Sequence, residues 1–115
     1  MNTQFESLGK VTLAMPAGRL DYGAAAAFQS QLEKALAGAA QAPVGMIIDC
    51  AALDYVSSAG LRVFLLVARG AKRAGVALAL CSLKPAVREV FEVSGFSQLI
   101  AVYADRAAAL AQMPA

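Results

Sequence analysis

The apolar positions of the chain fall into short runs that predict strands. Two runs near the start, 5–8 and 11–15, predict a pair of strands joined by a turn at Gly9, because glycine accepts the backbone angles of a tight turn. Pro16 and Gly18 are then expected to end the second strand. Three later apolar runs, at 44–50, 76–81 and 99–103, also have the length of strands and bring the predicted number to five.

Apolar residues at helical spacing predict four helices among these strands. The first begins after Asp21, a suitable N-cap, fades near Gly38, and is expected to bury Phe28, Leu32, Ala35, Leu36 and Ala39. The second extends over 58–74 and is expected to bury Leu61, Phe64, Leu65, Ala68 and Ala71. On its opposite face, Leu66 is expected to lie isolated among Arg62, Arg69 and Arg73. Pro85 opens a third, short helix, and Asp105 caps a fourth that is rich in alanine.

Strands and helices alternate after the first pair of strands. Such alternation is typical of an α/β fold in which most strands run parallel. The sequence therefore predicts one domain over residues 1–115, in which a mixed central β-sheet of about five strands packs against four helices. Residues 51–57 are expected to form only a connecting segment before the second helix.

The composition raises the question of a membrane, because 59% of the residues are hydrophobic. A spanning helix needs about 20 consecutive, mostly apolar residues. Arginine or lysine interrupts the longer apolar runs before that length, and the first residues lack the basic start and apolar block of a signal peptide. We therefore expect a cytoplasmic protein with no transmembrane segment. The net charge of +2 is too small to indicate binding of nucleic acid.

The absence of histidine excludes several kinds of chemistry. It removes serine–histidine and cysteine–histidine nucleophile pairs, and with them imidazole acid–base catalysis. The two cysteines, Cys50 and Cys81, form no CxxC pair and are expected to be small buried side chains. The chain also has no GxxxxGK[ST] or GxGxxG phosphate loop. We therefore expect no enzyme activity, no cofactor and no metal.

The segment 53–61 is the most informative part of the chain. Two serines, Ser57 and Ser58, open the second helix, and either can be its N-cap, which stabilises a helix by about 1 kcal/mol. The same place tolerates a phosphate, because a helix N-terminus carries partial positive charge and free N–H donors. The small residues Ala59 and Gly60 are expected to leave the approach to Ser58 open. On these residues alone, capping is favoured over a phosphorylation switch.

The string 56–61, Val-Ser-Ser-Ala-Gly-Leu, resembles the phosphorylation-site signature of STAS domains, the family of bacterial anti-sigma-factor antagonists. Gly-Arg-Leu-Asp at 18–21 resembles the family's segment after its second strand. Val-Ser-Gly-Phe at 93–96 resembles the end of its third helix. The resemblance extends from about Phe5 to Ala111 and implies a STAS-like fold. Many members have aspartate before the phosphorylated serine, where this chain has Ser57.

The resemblance implies a signalling role for the chain rather than catalysis. Ser58, with Ser57 as the alternative acceptor, would be phosphorylated by an anti-sigma factor that is itself a serine kinase of the GHKL type. The unphosphorylated chain would bind that partner and release the sigma factor, as a monomer or weak dimer. The residues expected at the partner surface are Gly18, Asp21, Tyr22, Ser57, Ser58, Ala59, Gly60, Arg62, Leu66 and Arg69.

Three other functions stay open on the sequence. The chain can be a STAS binding subunit that is not phosphorylated, in a lipid or anion transport complex or a stress-signalling assembly. A small enzyme would have to use Asp21, Ser57 and Ser58 and would need a base within reach of a serine. Nucleic-acid binding through Arg62, Arg69 and Arg73 would give strongly salt-dependent affinity, and the low net charge argues against it.

Overall fold

A computed structural model describes residues 1–38 and 43–114. In these ranges the chain forms six strands and four α-helices. In chain order they are β1 (Asn2–Leu8), β2 (Val11–Leu20), α1 (Tyr22–Ala37), β3 (Gly45–Asp49), β4 (Leu53–Val56), α2 (Ser58–Ala74), β5 (Ala77–Cys81), α3 (Pro85–Val93), a 3-10 turn (Phe96–Gln98), β6 (Ala101–Tyr103) and α4 (Arg106–Ala111).

The strands form one mixed sheet in the order β1-β2-β3-β5-β6, with β4 beside the far end of β2. Strands β1 and β2 are antiparallel, and the other pairings are parallel. The predicted α/β architecture with a mostly parallel sheet is therefore confirmed. Two details of the prediction are wrong: residues 51–57 contain the strand β4, and β2 continues past Pro16 and Gly18.

Strand β2 accommodates Pro16 because it changes partners there. Its pairing with β3 ends at Ala14, and its pairing with β4 begins at Gly18. Alternate residues of a strand direct their backbone groups to the same neighbour, so Pro16 faces the gap between the two partners, where no N–H is needed. Gly18 has a φ of 97°, and the register shifts between Gly18 and Arg19. Pro16 and Gly18, the predicted strand breakers, therefore lie where β2 changes its pairing from β3 to β4.

Three helices cover one face of the sheet and α4 covers part of the other. On the first face, α1, α2 and α3 pack in edge-to-face aromatic contacts, Phe28 on Phe64 and Phe64 on Phe91, with ring centroids 5.7 and 5.1 Å apart. The predicted inward stripe of α1 is confirmed at Phe28, Leu32 and Leu36, while Ala35 is half-buried and Ala39 lies outside the described residues.

The predicted inward stripe of α2 is only partly right. Phe64 and Ala71 are buried as predicted, and Val63 and Val67 are buried as well. Leu61, Leu65 and Ala68 are only half-buried. The helix packs on the sheet and on α1 together, so its buried face is rotated toward α1. The predicted N-caps are confirmed, since Asp21 accepts the Ala24 N–H and Asp105 accepts the Ala108 N–H.

Both cysteines are buried and free, as the sequence predicted. Cys50 packs in the core under the three helices, and Cys81 packs in the core under α4, so they lie on opposite faces of the sheet. Burial raises the pKa of the Cys50 thiol, and the nearby Cys81 and Asp49 raise it further. The pKa of Cys81 is also raised, chiefly by burial. Both thiols are therefore held in the neutral, unreactive form.

Candidate functional site

The segments 18–21 and 56–61, which the sequence analysis identified, meet at one corner of the molecule. Leu20, the last residue of β2, stands opposite Val56, the last residue of β4. The backbone N–H of Ser57 donates to the Leu20 carbonyl at 2.9 Å. As a result, the start of α1, which follows Leu20, and the start of α2, which follows Ser57, lie next to each other.

The structure assigns different roles to the two serines. Ser57 is the N-cap of α2: its backbone is extended (φ −81°, ψ 172°) and its Oγ accepts the Gly60 N–H at 3.1 Å. Ser58 is the first helical residue, and its side chain is exposed. Because Ser57 caps the start of α2, the Ser58 hydroxyl is not needed as a cap.

Gly60 serves packing and contributes no open surface. It is buried, and a Cβ built on it would lie 2.7 Å from the Leu20 Cγ and 2.9 Å from the Leu20 carbonyl oxygen. Glycine therefore lets α2 approach the end of β2, which is how the two segments come into register. The expectation that Gly60 keeps the approach to Ser58 open is wrong, because its position faces inward. Ala59 is half-buried and packs against the helix-covered core.

Asp21 and Tyr22 form the second part of the corner. The Asp21 carboxylate accepts the Ala24 N–H at 3.0 Å and stays exposed. Tyr22 is 85% exposed, the highest value for a large apolar side chain among the described residues. Gly18, which the sequence grouped with them, lies within β2, is half-buried, and donates its N–H to the Ala52 carbonyl at 2.9 Å. It shapes the strand and offers little surface.

Two side-chain pairs near this corner were missed by the sequence analysis. The Arg19 guanidinium lies over the Tyr55 ring, 4.1 Å from its centroid, and joins the ends of β2 and β4. On the same strand as Tyr55, Asp54 forms an ion pair with Lys84, the residue that precedes α3. Both pairs join residues distant in sequence and of types common on any surface, so no local pattern could have revealed them.

The three α2 residues in the expected surface lie along the helix away from Ser58. Arg62 and Arg69 are exposed, which agrees with the predicted outer face. At 1.5 Å per residue, Arg69 lies about 16 Å along the axis from Ser58, so it is not part of the same corner. Leu66 is half-buried beside α1 and is not isolated among exposed arginines as the sequence suggested.

The start of α2 favours a negative charge, as the N-terminus of a helix does. The first N–H groups of a helix have no intrahelical partner. The Ser57 Oγ takes the Gly60 N–H, which leaves the N–H groups of Ser58 and Ala59 without an acceptor within the helix. Within the described ranges, no group of three or more histidine, cysteine, aspartate or glutamate side chains could hold a metal ion. No helix in those ranges is long and apolar enough to cross a membrane.

Comparisons with known proteins agree on one family. The STAS domain profile matches residues 2–109. The chain is 51% identical over 84 residues to BtrV of Bordetella bronchiseptica, whose name places it provisionally among the anti-sigma factor antagonists. The match covers 70% of this chain and 71% of BtrV.

Solved structures show the same fold. A Thermotoga maritima protein, described provisionally as an anti-sigma factor antagonist, matches with a TM-score of 0.84 at 17% identity and covers 96% of this chain and 92% of its own. The unphosphorylated form of the anti-sigma factor antagonist SpoIIAA matches with a TM-score of 0.72 at 23% identity, covering 89% of this chain and 88% of its own. SpoIIAA of Bacillus is also known in a phosphorylated form.

Proposed function

Because the chain belongs to the STAS domain family, we propose that it is an anti-sigma factor antagonist switched by phosphorylation of Ser58. In its unphosphorylated form it binds an anti-sigma factor and thereby frees the sigma factor, and the phosphate ends that complex. The observation that carries this proposal is the division of roles at the start of α2, where Ser57 caps the helix and Ser58 is exposed.

We expect the fold to accept a phosphate on Ser58 with little rearrangement. The modified side chain would stand at the N-terminus of a 17-residue helix, where the helix dipole and the first N–H groups favour an anion. Arg62 lies four residues on, the spacing at which oppositely charged side chains of a helix meet. Ser57 is the poorer acceptor, because a phosphate on its Oγ would disturb the bond from the Gly60 N–H.

The same phosphate would disrupt a docked partner. It adds about −1.5 to −2 charges to a surface that already contains the exposed Asp21 carboxylate. A partner that fits the small neutral Ser58 hydroxyl and the apolar ring of Tyr22 would have to bury that charge. One modification thus abolishes binding and leaves the domain folded.

The proposed partner is a serine kinase of the GHKL type that is also the anti-sigma factor. This chain contains no histidine, and its acidic groups near Ser58 have other partners: Asp21 caps α1 and Asp54 pairs with Lys84. The chain is therefore proposed as substrate and ligand of the kinase, which supplies ATP and the catalytic groups. It would act in the cytoplasm as a monomer or weak dimer.

The test is phosphorylation mapping by mass spectrometry of the chain isolated from its own cells, in wild type, Ser58→Ala and Ser57→Ala forms. A phosphate on Ser58 that persists in Ser57→Ala and disappears in Ser58→Ala supports the proposal. Ser30, an exposed serine on α1, serves as an internal control for non-specific modification. A chain unmodified at Ser58 under every growth condition would favour the binding-subunit function and overturn the switch.

A further inference from the structure

A groove separates the C-terminal halves of α1 and α2, at a distance from Ser58. Its volume is about 640 Å³. Its apolar walls come from both helices: Leu36 of α1, and Leu66, Val67 and Gly70 of α2. Leu36 and Val67 belong to the core beneath it, whereas Leu66 and Gly70 are half-buried and form the open part. The groove therefore has an apolar floor, formed by these four residues.

Gly70 is the feature that packing does not explain. A glycine inside a helix destabilises it relative to alanine. At Gly60 the neighbouring backbone requires glycine, but a Cβ built on Gly70 would meet only the Leu36 Cδ1, at an ordinary contact distance of 3.8 Å. The domain itself has room for a side chain there. The absent side chain keeps the groove deep enough for a side chain from another molecule.

The two walls of the groove differ in charge, because Arg73 of α2 and Glu33 of α1 both line it. Helix α2 contains Arg62, Arg69, Lys72 and Arg73 and no acidic residue. Of the nearest carboxylates, that of Glu33 on α1 already accepts a hydrogen bond from the Gln29 Nε2 at 2.7 Å. Throughout 1–38 and 43–114, the ion pairs are Lys84–Asp54 and Arg106–Asp49, so the α2 cations have no carboxylate within 4.0 Å. The α2 side of the groove is therefore basic, and carboxylates of a partner would pair with it.

We propose that this groove docks an acidic amphipathic helix of a protein partner. Its hydrophobic side chains fill the space over Leu66 and Gly70, and its carboxylates pair with Arg69 and Arg73, in the helix-in-groove mode of recognition. A nucleic acid would pair with the same cations and leave the apolar floor empty. Gly70 lies about 18 Å along the axis from Ser58, so docking here does not require that Ser58 be phosphorylated or bound.

The proposal can be tested with synthetic helical peptides of about 16 residues and the full-length chain labelled with 15N. The first peptide places leucines at i, i+4 and i+7 between rows of glutamate. The second replaces every glutamate by lysine, and the third replaces every leucine by serine. The expected result is that only the first peptide shifts the backbone resonances near Leu36, Leu66 and Gly70.

Variants of the chain distinguish binding of the acidic peptide in the groove from its general attraction to positive charge. Arg73→Glu and Gly70→Met are expected to weaken binding of the first peptide by about tenfold or more, since the first reverses the charge that pairs with the peptide and the second fills the space for its leucines. Gly70→Ala, which preserves helix formation, is the second probe of the groove if Gly70→Met folds poorly. Lys72→Glu is the matched control: it makes the same charge change on the other flank of α2, beside Leu99, and is expected to weaken binding by less than about twofold.

Four outcomes would overturn the proposal. They are equal binding of the glutamate and lysine peptides, an equal loss with Lys72→Glu and Arg73→Glu, tighter binding of single-stranded oligothymidylate than of the first peptide, and no resonance shift at a peptide concentration of about 1 mM. None of them bears on phosphorylation of Ser58, which the mass spectrometry tests separately.

Discussion

The Ser57 N–H donates to the Leu20 carbonyl at 2.9 Å, and this single bond joins the start of α2 to the end of β2. It places Ser58 beside Asp21 and Tyr22, although a helix and two strands separate them along the chain. The corner therefore exists only when β2 and β4 are paired. Changes that disturb this pairing are expected to affect stability and partner binding together.

Gly60→Ala is expected to lower the free energy of unfolding by about 1–3 kcal/mol, because its new Cβ would overlap Leu20. The matched variant Gly70→Ala, in the same helix but with room for a Cβ, is expected to raise it by up to about 1 kcal/mol. Urea unfolding monitored by circular dichroism measures both. Equal effects of the two variants would contradict the packing role of Gly60.

Ser57→Ala is expected to lower the free energy of unfolding by about 1 kcal/mol, because the Gly60 N–H loses its acceptor. Ser58→Ala is expected to change it by less than about 0.5 kcal/mol, since the exposed Ser58 caps nothing. Thermal and urea unfolding of the two single variants give the comparison. A larger loss with Ser58→Ala would mean that the two serines exchange roles in solution.

Arg106→Ala is expected to lower the free energy of unfolding by about 1–2 kcal/mol. Arg106 donates to the Asp49 Oδ2 through Nε at 3.1 Å and Nη2 at 2.9 Å, and Asp49 is only 7% exposed, so its carboxylate would lose its cation inside the fold. The exposed pair of Lys84 and Asp54 provides the control. Lys84→Ala is expected to cost less than about 0.5 kcal/mol. Comparable losses would contradict this distinction.

Both cysteines are expected to resist a thiol reagent in the native protein and to react once urea unfolds it, because burial raises their pKa values. The unfolded thiols ionise near their ordinary pKa of 9.0, while the folded ones keep their protons. The unfolded state then binds fewer protons, so stability falls as pH rises above about 9. Stability measured between about pH 7 and pH 10 tests this, and Cys50→Ala should flatten the slope.

The helices and the buried strands were predictable because their patterns are local. The periodic Phe28, Leu32 and Leu36 of α1 and the apolar run of β3 each indicate their element without reference to the rest of the chain. Strand β4 was not predictable. It is four residues long, its middle residues Asp54 and Tyr55 are both exposed, and its partner is the part of β2 that follows Pro16.

The sequence identified the two serines of the candidate site, but it did not show the roles of the residues around them. A helix start with two serines specifies that one caps, but which one does so depends on the hydrogen bond to Gly60. The inward position of Gly60 depends on Leu20, which belongs to a distant strand. Leu66 looked isolated because helical spacing places it on the outer face, and only the packing of α1 shows that it borders a groove.

If Ser58 carries the proposed phosphate, the separate roles of Ser57 and Ser58 allow the phosphorylation site and the helix cap to vary independently during evolution. A lineage without the proposed kinase could then replace Ser58 by almost any good helix former at little cost in folding, since within residues 1–38 and 43–114 the cap hydrogen bond of α2 is made by Ser57 and not by the Ser58 hydroxyl. Ser57 has no such freedom, because few side chains can accept the Gly60 N–H. Descendants that never carry a phosphate are therefore expected to keep a capping residue at the first position and to vary at the second.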